Sequence, residues 1–282
     1  MTAAGWHAAG DLRAAAERES RMKSIAIRMT LAVGFGLVFL IYAPVLWLGV
    51  LSISDDPLSG RAGPFTLKWY NDLFAQVSWL DPLIRSIEIA AVVSLLCVAA
   101  ALLVGRALPR MRRGQALLLG AFLIPLVVPG IVMGIDMFIF YRVFVGLKMG
   151  VWSLILCHFI WAFPFALLGM LVVSVRFDFH LVEAAADLGA GSWRRFWDIE
   201  RPLLMPGIVS AGLFGFLLSL TELPRSLYVY GRFQTLPLFT WAEASARASH
   251  VPLIYCLNAL ISIVSVGLGV LALWQLGRRA KP

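Results

Sequence analysis

The sequence predicts an all-α integral membrane protein with six transmembrane helices, and three observations carry that prediction. Of 282 residues, 60% are hydrophobic and 14% charged, and the mean hydropathy is +0.84, far from the composition of a soluble globular domain. Six charge-poor segments interrupt the chain at 29–54, 89–105, 114–135, 149–175, 202–221 and 248–277, and a bilayer crossing takes about 20 apolar residues. The basic residues are also divided unevenly between the two sets of connecting loops.

The first segment follows a basic, alanine-rich stretch that is assigned no function, and it stays apolar for 26 residues from Met29. That length exceeds the core of a cleaved leader, so it is expected to remain as a helix. The loop from Asp55 to Pro82 is the largest on its side and carries the amphipathic, aromatic run Phe65-Thr66-Leu67-Lys68-Trp69-Tyr70-Asn71-Asp72-Leu73-Phe74. The second segment is the shortest, but Arg85 and Glu88, three residues apart, let its helix begin a turn earlier with both charges in the interface. The third is expected as one helix ending near Asp136, the fourth contains His158, and the fifth stops at Glu222-Leu223-Pro224-Arg225, where charge and proline together predict a break. Cys97, Cys157 and Cys256 fall in three different apolar segments and read as small buried hydrophobes rather than a disulfide or metal framework.

Six crossings place both termini on one side. That side holds Arg13, Arg18, Arg21, Lys23, Arg28, Arg106, Arg110, Arg112, Arg113, Arg176, Arg194, Arg195, Arg201, Arg278, Arg279 and Lys281, 16 of the 24 basic residues, against 8 on the other. By the positive-inside rule the termini and the loop after the fourth segment face the cytoplasm. The net charge of +8 is therefore read as topology, with no continuous basic patch for nucleic acid. The expected organisation is a cytoplasmic tail 1–28, a membrane domain 29–277 with a cytoplasmic loop 176–206, and a short cytoplasmic tail 278–282.

That loop is the most informative stretch of the chain. Val182, Ala185, Ala186 and Gly189 recur at helical spacing and give a small-residue face suited to close approach, while Glu183 and Asp187 lie on a polar one. Gly189 and Gly191 can end the helix, and Ser192 is placed to cap a second one. In that second piece Trp193, Phe196 and Trp197 share a face and Arg194 reaches Asp198, until Pro202 interrupts the pattern. Two short helices joined by a glycine turn make a knob.

Glu183-Ala184-Ala185, then Gly189, Ile199 and Pro202 at their spacings, resemble the "EAA loop" of binding-protein-dependent ABC importer permeases; Arg201 departs from the leucine usual before the proline. The run from Phe65 and the stretches Val128-Pro129-Gly130-Ile131-Val132-Met133-Gly134-Ile135 and His158-Phe159-Ile160-Trp161-Ala162-Phe163-Pro164-Phe165 resemble the spermidine/putrescine-type branch of that family. The resemblance implies the type I ABC importer transmembrane fold, with the knob between helices 4 and 5 as the ATPase-docking loop. Its residues would be Glu183, Ala184, Ala185, Asp187, Gly189, Trp193, Phe196, Ile199 and Pro202. It further implies a cytoplasmic ATPase dimer, a second permease subunit of similar or identical sequence, and an extracytoplasmic solute-binding protein around this membrane-embedded chain.

Chemistry of the chain's own is absent from the sequence. It has no G-x-x-x-x-G-K-[ST], H-E-x-x-H, paired Cys-x-x-Cys or Gly-x-Ser-x-Gly, so it reads as a non-catalytic subunit without its own cofactor or metal. ATP and Mg would belong to the partner. Ionisable residues at membrane depth are costly and mark function, which selects Asp136, His158, Glu222 and Arg225 as substrate-pathway candidates. Glu222 lies about 30 Å along its helix from Pro202; the resemblance suggests that it faces a cation, and the neighbouring Arg225 offers instead a neutralising ion pair. The expected function is ATP-driven uptake of a small polar solute, first a polyamine, alternatively a carboxylate- or phosphonate-bearing amine or a metal complex. An ion-coupled secondary transporter and a membrane scaffold are the rival classes. The first should show inverted repeats with matching broken helices, and the prolines have no such period.

Overall fold

The computed structural model describes the backbone of residues 3–279 and the side chains of residues 22–267. Arg13, Arg18, Arg21, Arg278, Arg279 and Lys281, and with them most of the tail 1–28 and the whole of 278–282, lie outside the described side chains. Among the described residues the chain is helical apart from short connections, with one isolated antiparallel bridge, Ser54 to Phe65. The helices are α1 (Ala3–Ser52), α2 (Lys68–Ala75), α3 (Leu80–Ala107), α4 (Gln115–Leu123), α5 (Gly130–Ile139), α6 (Val151–Ser174), α7 (His180–Asp187), α8 (Ser192–Arg195), α9 (Arg201–Leu220), α10 (Ser226–Val229), α11 (Leu236–Ala246) and α12 (Val251–Arg279).

Among the described residues five helical stretches are long and apolar enough to cross a membrane: Met22–Ser52, Val77–Arg110, Val151–Ser174, Ser192–Leu220 and Ala248–Gly267. The third predicted segment is not the single helix expected. It is a pair, Gln115–Leu126 and Gly130–Phe144, bent by 99°. Pro125 and Pro129 remove two backbone donors at the junction, and Pro129 also biases Val128 away from helical geometry. A tight turn at Ile124–Leu126 and a fresh start at Gly130 result. The second segment does begin early, at Leu80, although Arg85 pairs with Asp81 at 2.7 Å rather than with Glu88.

The chain forms two compact units, one of residues up to Leu73 with Tyr255–Gly269, the other built on Phe74–Ile254. In the first, the loop that follows α1 is stitched to the end of that helix. Thr66 N–H donates to Ile53 O at 2.7 Å, Trp69 Nε1 to Ser54 O at 3.0 Å, and the Tyr70 and Ser52 hydroxyls meet at 2.8 Å. The aromatic run from Phe65 thus anchors its own loop, and Cys256 Sγ donates to Ser52 O at 3.2 Å.

The second unit is organised by α3, α6 and α9. Lipid tails are as apolar as leucine, so helices associate in a membrane through close packing and polar contacts rather than through water exclusion. Glycines permit that closeness. A side chain at Gly215 would lie 2.9 Å from Ser94 Cα and Cys97 Cβ, and at Gly207 2.9 Å from Met170 Sδ. Ser94 Oγ donates to Gly212 O at 2.8 Å across the α3–α9 seam. Cys97, Cys157, Ala162, Ala166 and Met170 are fully buried in the centre.

Candidate functional site

Two groups of residues stand out in the second unit, one at each end of α9. At its N-terminal end the knob has the predicted helix, turn, helix order. Gly189 takes the left-handed conformation at φ +83°, and the Ala190 and Gly189 N–H groups donate to Ala185 O and Ala186 O at 2.9 Å each. These two bonds satisfy the carbonyls left open at the end of α7. Gly191 is extended at φ −64°, so one glycine makes the turn. Ser192 opens α8 without capping it; its hydroxyl accepts from Arg195 Nη2 at 3.0 Å.

Pro202 does not interrupt the helix. Phe196–Glu200 form a π-turn that runs without a gap into α9. Proline leaves the Asp198 carbonyl without its usual partner, and widening the turn by one residue, with Arg201 N–H bonded to Phe196 O, lets the helix continue.

The small-residue face makes its close approach to the chain itself: Val182 is buried and Ala185 and Ala186 are half-buried, while Gly189 at the turn is exposed. The outward surface of the knob is made by Leu181, Ala184, Leu188 (89% exposed) and Trp193 (74% exposed), flanked by Glu183 and Asp187. The aromatic cluster divides accordingly. Trp193 and Trp197 lie against each other, tilted by 56° with centroids 5.3 Å apart, whereas Phe196 turns inward beneath Arg106 at 5.3 Å. Arg194 holds Asp198 at 3.3 Å, as its spacing predicted, and Ile199 is half-buried. Arg201, in the usual leucine position, lays its guanidinium 4.7 Å from the Trp197 ring centroid, a role a leucine fills only by apolar contact.

At the other end, α9 stops at Leu220 and the chain turns through Glu222 to Arg225 before α10, as charge and proline predicted. Glu222 and Arg225 are buried, at 4% and 5% exposure. The Arg225 backbone N–H donates to Glu222 Oε1 at 2.9 Å and its Nη1 to Oε2 at 3.0 Å. The same guanidinium donates from Nε to Met133 Sδ at 3.2 Å and stands 3.6 Å from the Trp161 ring centroid. Gly130 and Gly134 bring α5 this close. A Cβ at Gly134 would lie 2.9 Å from Arg225 O, and one at Gly130 3.1 Å from Arg225 Nη1.

His158 is fully buried and completes the network. Its Nδ1 meets Ser219 Oγ at 2.8 Å and its Nε2 meets Ser226 Oγ at 2.7 Å. Ser226 spends its single proton on Glu222 O, at 3.2 Å, so it accepts from His158 Nε2–H and leaves Nδ1 to accept from Ser219. His158 is thereby a fixed linker between α6 and both sides of the helix break. Asp136 is not brought to this group; it lies exposed on α5. The sequence singled out Glu222, Arg225 and His158 separately. It missed Trp161, Met133, Ser219 and Ser226, whose types are ordinary in apolar helices; the four-residue step from Glu222 to Ser226 was the available signal.

A bundle of membrane-length helices, with a buried ion pair at a helix break and a surface knob at the other end of the same helix, defines the transmembrane subunit of a transporter. The chain belongs to the binding-protein-dependent transport system inner membrane component family, whose pattern matches residues 97–276. It is 30% identical over 234 residues to the spermidine/putrescine transport system permease protein PotC of Haemophilus influenzae, covering 82% of this chain and 90% of that protein. It is 30% identical over 263 residues to the putrescine transport system permease protein PotI of Escherichia coli, covering 87% and 89%. The molybdenum transport system permease protein ModB of Haemophilus influenzae is 26% identical over 171 residues, covering 54% and 75%.

Proposed function

We propose that this chain forms half of the translocation pathway of an ABC importer for a polyamine-like cation, with a second permease subunit, a cytoplasmic ATPase dimer that binds ATP and Mg, and an extracytoplasmic solute-binding protein. The observation that carries the reading is the buried carboxylate of Glu222 at a helix break, where it holds the Arg225 guanidinium that lies over the Trp161 ring, so that a carboxylate and an aromatic face already share a cation there. A carboxylate with an aromatic face is chemistry that receives an ammonium group. The names of the two polyamine-transporting relatives support the same substrate class. The anionic alternative is less favoured, because an anion would have to draw the Arg225 guanidinium away from Glu222, Met133 and Trp161, whereas an ammonium group takes the place of that guanidinium on the same carboxylate and ring.

In this reading the bent pair α4–α5 counts as one crossing, so both termini and the knob lie in the cytoplasm, in agreement with the 16 to 8 division of basic residues. The ATPase grips Leu181, Ala184, Leu188 and Trp193, with Glu183 and Asp187 at the rim. Closure of the ATPase dimer then rocks the bundle between inward- and outward-open states. No bond is made or broken by this chain. The test is affinity purification of the chain from its native membrane in mild detergent, beside Glu183→Arg and Leu188→Glu. An ATPase and a second permease accompany the wild type, and Leu188→Glu loses the ATPase. A wild type that purifies alone and hydrolyses no ATP refutes the docking assignment.

A further inference from the structure

Beneath the knob lies a contact that the docking role does not itself require. Glu200, in the π-turn, is only 3% exposed, and its Oε2 is paired with Nε of Arg106 in the last turn of α3. The Arg106 guanidinium also stands 5.3 Å from the Phe196 centroid. Phe196 and Glu200 are four residues apart, one turn of the widened helix, so both ends of the π-turn hold a single side chain. One turn further on, Arg110 stands 4.2 Å over Phe179, immediately before α7. The end of α3 therefore grips the knob on both flanks. Between them is a cavity of about 240 Å³ lined by Arg106, Arg110, Val182, Glu183, Ser192 and Arg195 among others. The knob is not seated on an apolar filling there; charge and ring contacts tie it down.

We propose that Arg106 and Glu200 form the strut that passes movement of the knob to α3, as positioning residues that touch neither substrate nor nucleotide. The inference rests on the reading of the knob as the ATPase-docking element. A pair buried at one end resists separation, because parting it leaves a charge uncompensated away from water. The neighbouring Arg194–Asp198 pair is exposed on both sides and is screened by solvent, so it bears no comparable load. When the ATPase shifts the knob, the end of α3 follows it. Since α3 packs along α9 and α6, the displacement enters the bundle at its centre.

The experiment uses the whole complex, reconstituted in lipid vesicles with its ATPase and binding protein, and reads solute taken up per ATP hydrolysed. Arg106→Glu and Glu200→Arg each retain the ATPase in the complex and its basal hydrolysis, while the uptake per ATP falls at least about tenfold. The double reversal, which restores opposite charges, recovers to within roughly threefold of wild type. Arg106→Lys keeps the charge but loses the planar face over Phe196 and falls between. Single reversals that leave uptake per ATP unchanged overturn the proposal, as does a double reversal no better than the singles in an intact complex. Failure of the wild type itself to hold an ATPase overturns the docking reading and the strut together, and is recognised because it does not depend on either substitution.

Discussion

Replacing Arg225 with leucine tests the buried group at the end of α9. The substitution removes the Nη1 bond to Glu222 Oε2 at 3.0 Å, the bond to Met133 and the guanidinium over Trp161, and leaves a carboxylate at 4% exposure without its counter-charge. Breaking one partner out of a buried ion pair costs about 3–5 kcal/mol. The backbone N–H of residue 225 still donates to Oε1, which puts the expectation at the lower end. A loss of about 3 kcal/mol lowers the folded-to-unfolded ratio by roughly a hundredfold. Combining it with Glu222→Gln removes the stranded charge while keeping an acceptor for that N–H, so the double variant regains at least about half of the loss. Denaturant-driven unfolding of the purified protein in mild detergent measures all three. An Arg225→Leu protein within about 0.5 kcal/mol of wild type would refute the reasoning, since Glu222 would then be stabilised without its partner.

Other consequences follow from the same geometry. Gly134→Leu drives a side chain into the Arg225 carbonyl and the Tyr228 ring, both 2.9 Å from the new Cβ, and costs about 1–3 kcal/mol, whereas Gly120→Leu, facing open space, is close to neutral; thermal midpoints in detergent compare the two. His158→Ala leaves the buried Ser219 hydroxyl without its partner, removes the bond that Ser226 accepts while Ser226 still donates to Glu222 O, and destabilises by about 1–3 kcal/mol, read by the same scan. Cys97, Cys157 and Cys256 are fully buried, so the folded wild type is silent to a membrane-impermeant thiol reagent. Against that background Asp187→Cys is labelled from the cytoplasmic face alone and Lys68→Cys from the outer face alone; labelling of both from one side contradicts the topology.

The fold was legible wherever composition and local backbone chemistry decide it. Charge-poor length located the long helices, the left-handed Gly189 ended α7, and Pro224 with its charged neighbours marked the end of α9. Where one backbone requirement could be met in two ways, the local pattern misled, pointing to an unbroken third helix and to an interruption at Pro202. Pro125 and Pro129 bend their segment by 99°, while Pro202 is absorbed in a π-turn and leaves its helix continuous. The difference depends on what neighbours the freed backbone, which no local pattern records. The facing of the knob was unreadable for a related reason. Small residues suit close approach to any surface, and here the surface is the chain's own, so the exposed apolar patch falls to Leu181, Leu188 and Trp193. Glu200 gave no signal of burial, because a carboxylate in a charged loop is normally solvated and its partner Arg106 lies 94 positions earlier, at the end of another helix.

The most direct test of the account is uptake of labelled spermidine and putrescine into vesicles holding the purified complex, with ATP and Mg supplied on the knob side and the solute-binding protein on the other. The account predicts uptake that requires both ATP and the binding protein, and that Glu222→Gln abolishes while ATP hydrolysis persists. Uptake that proceeds without ATP when an ion gradient is imposed would contradict it and identify a secondary transporter.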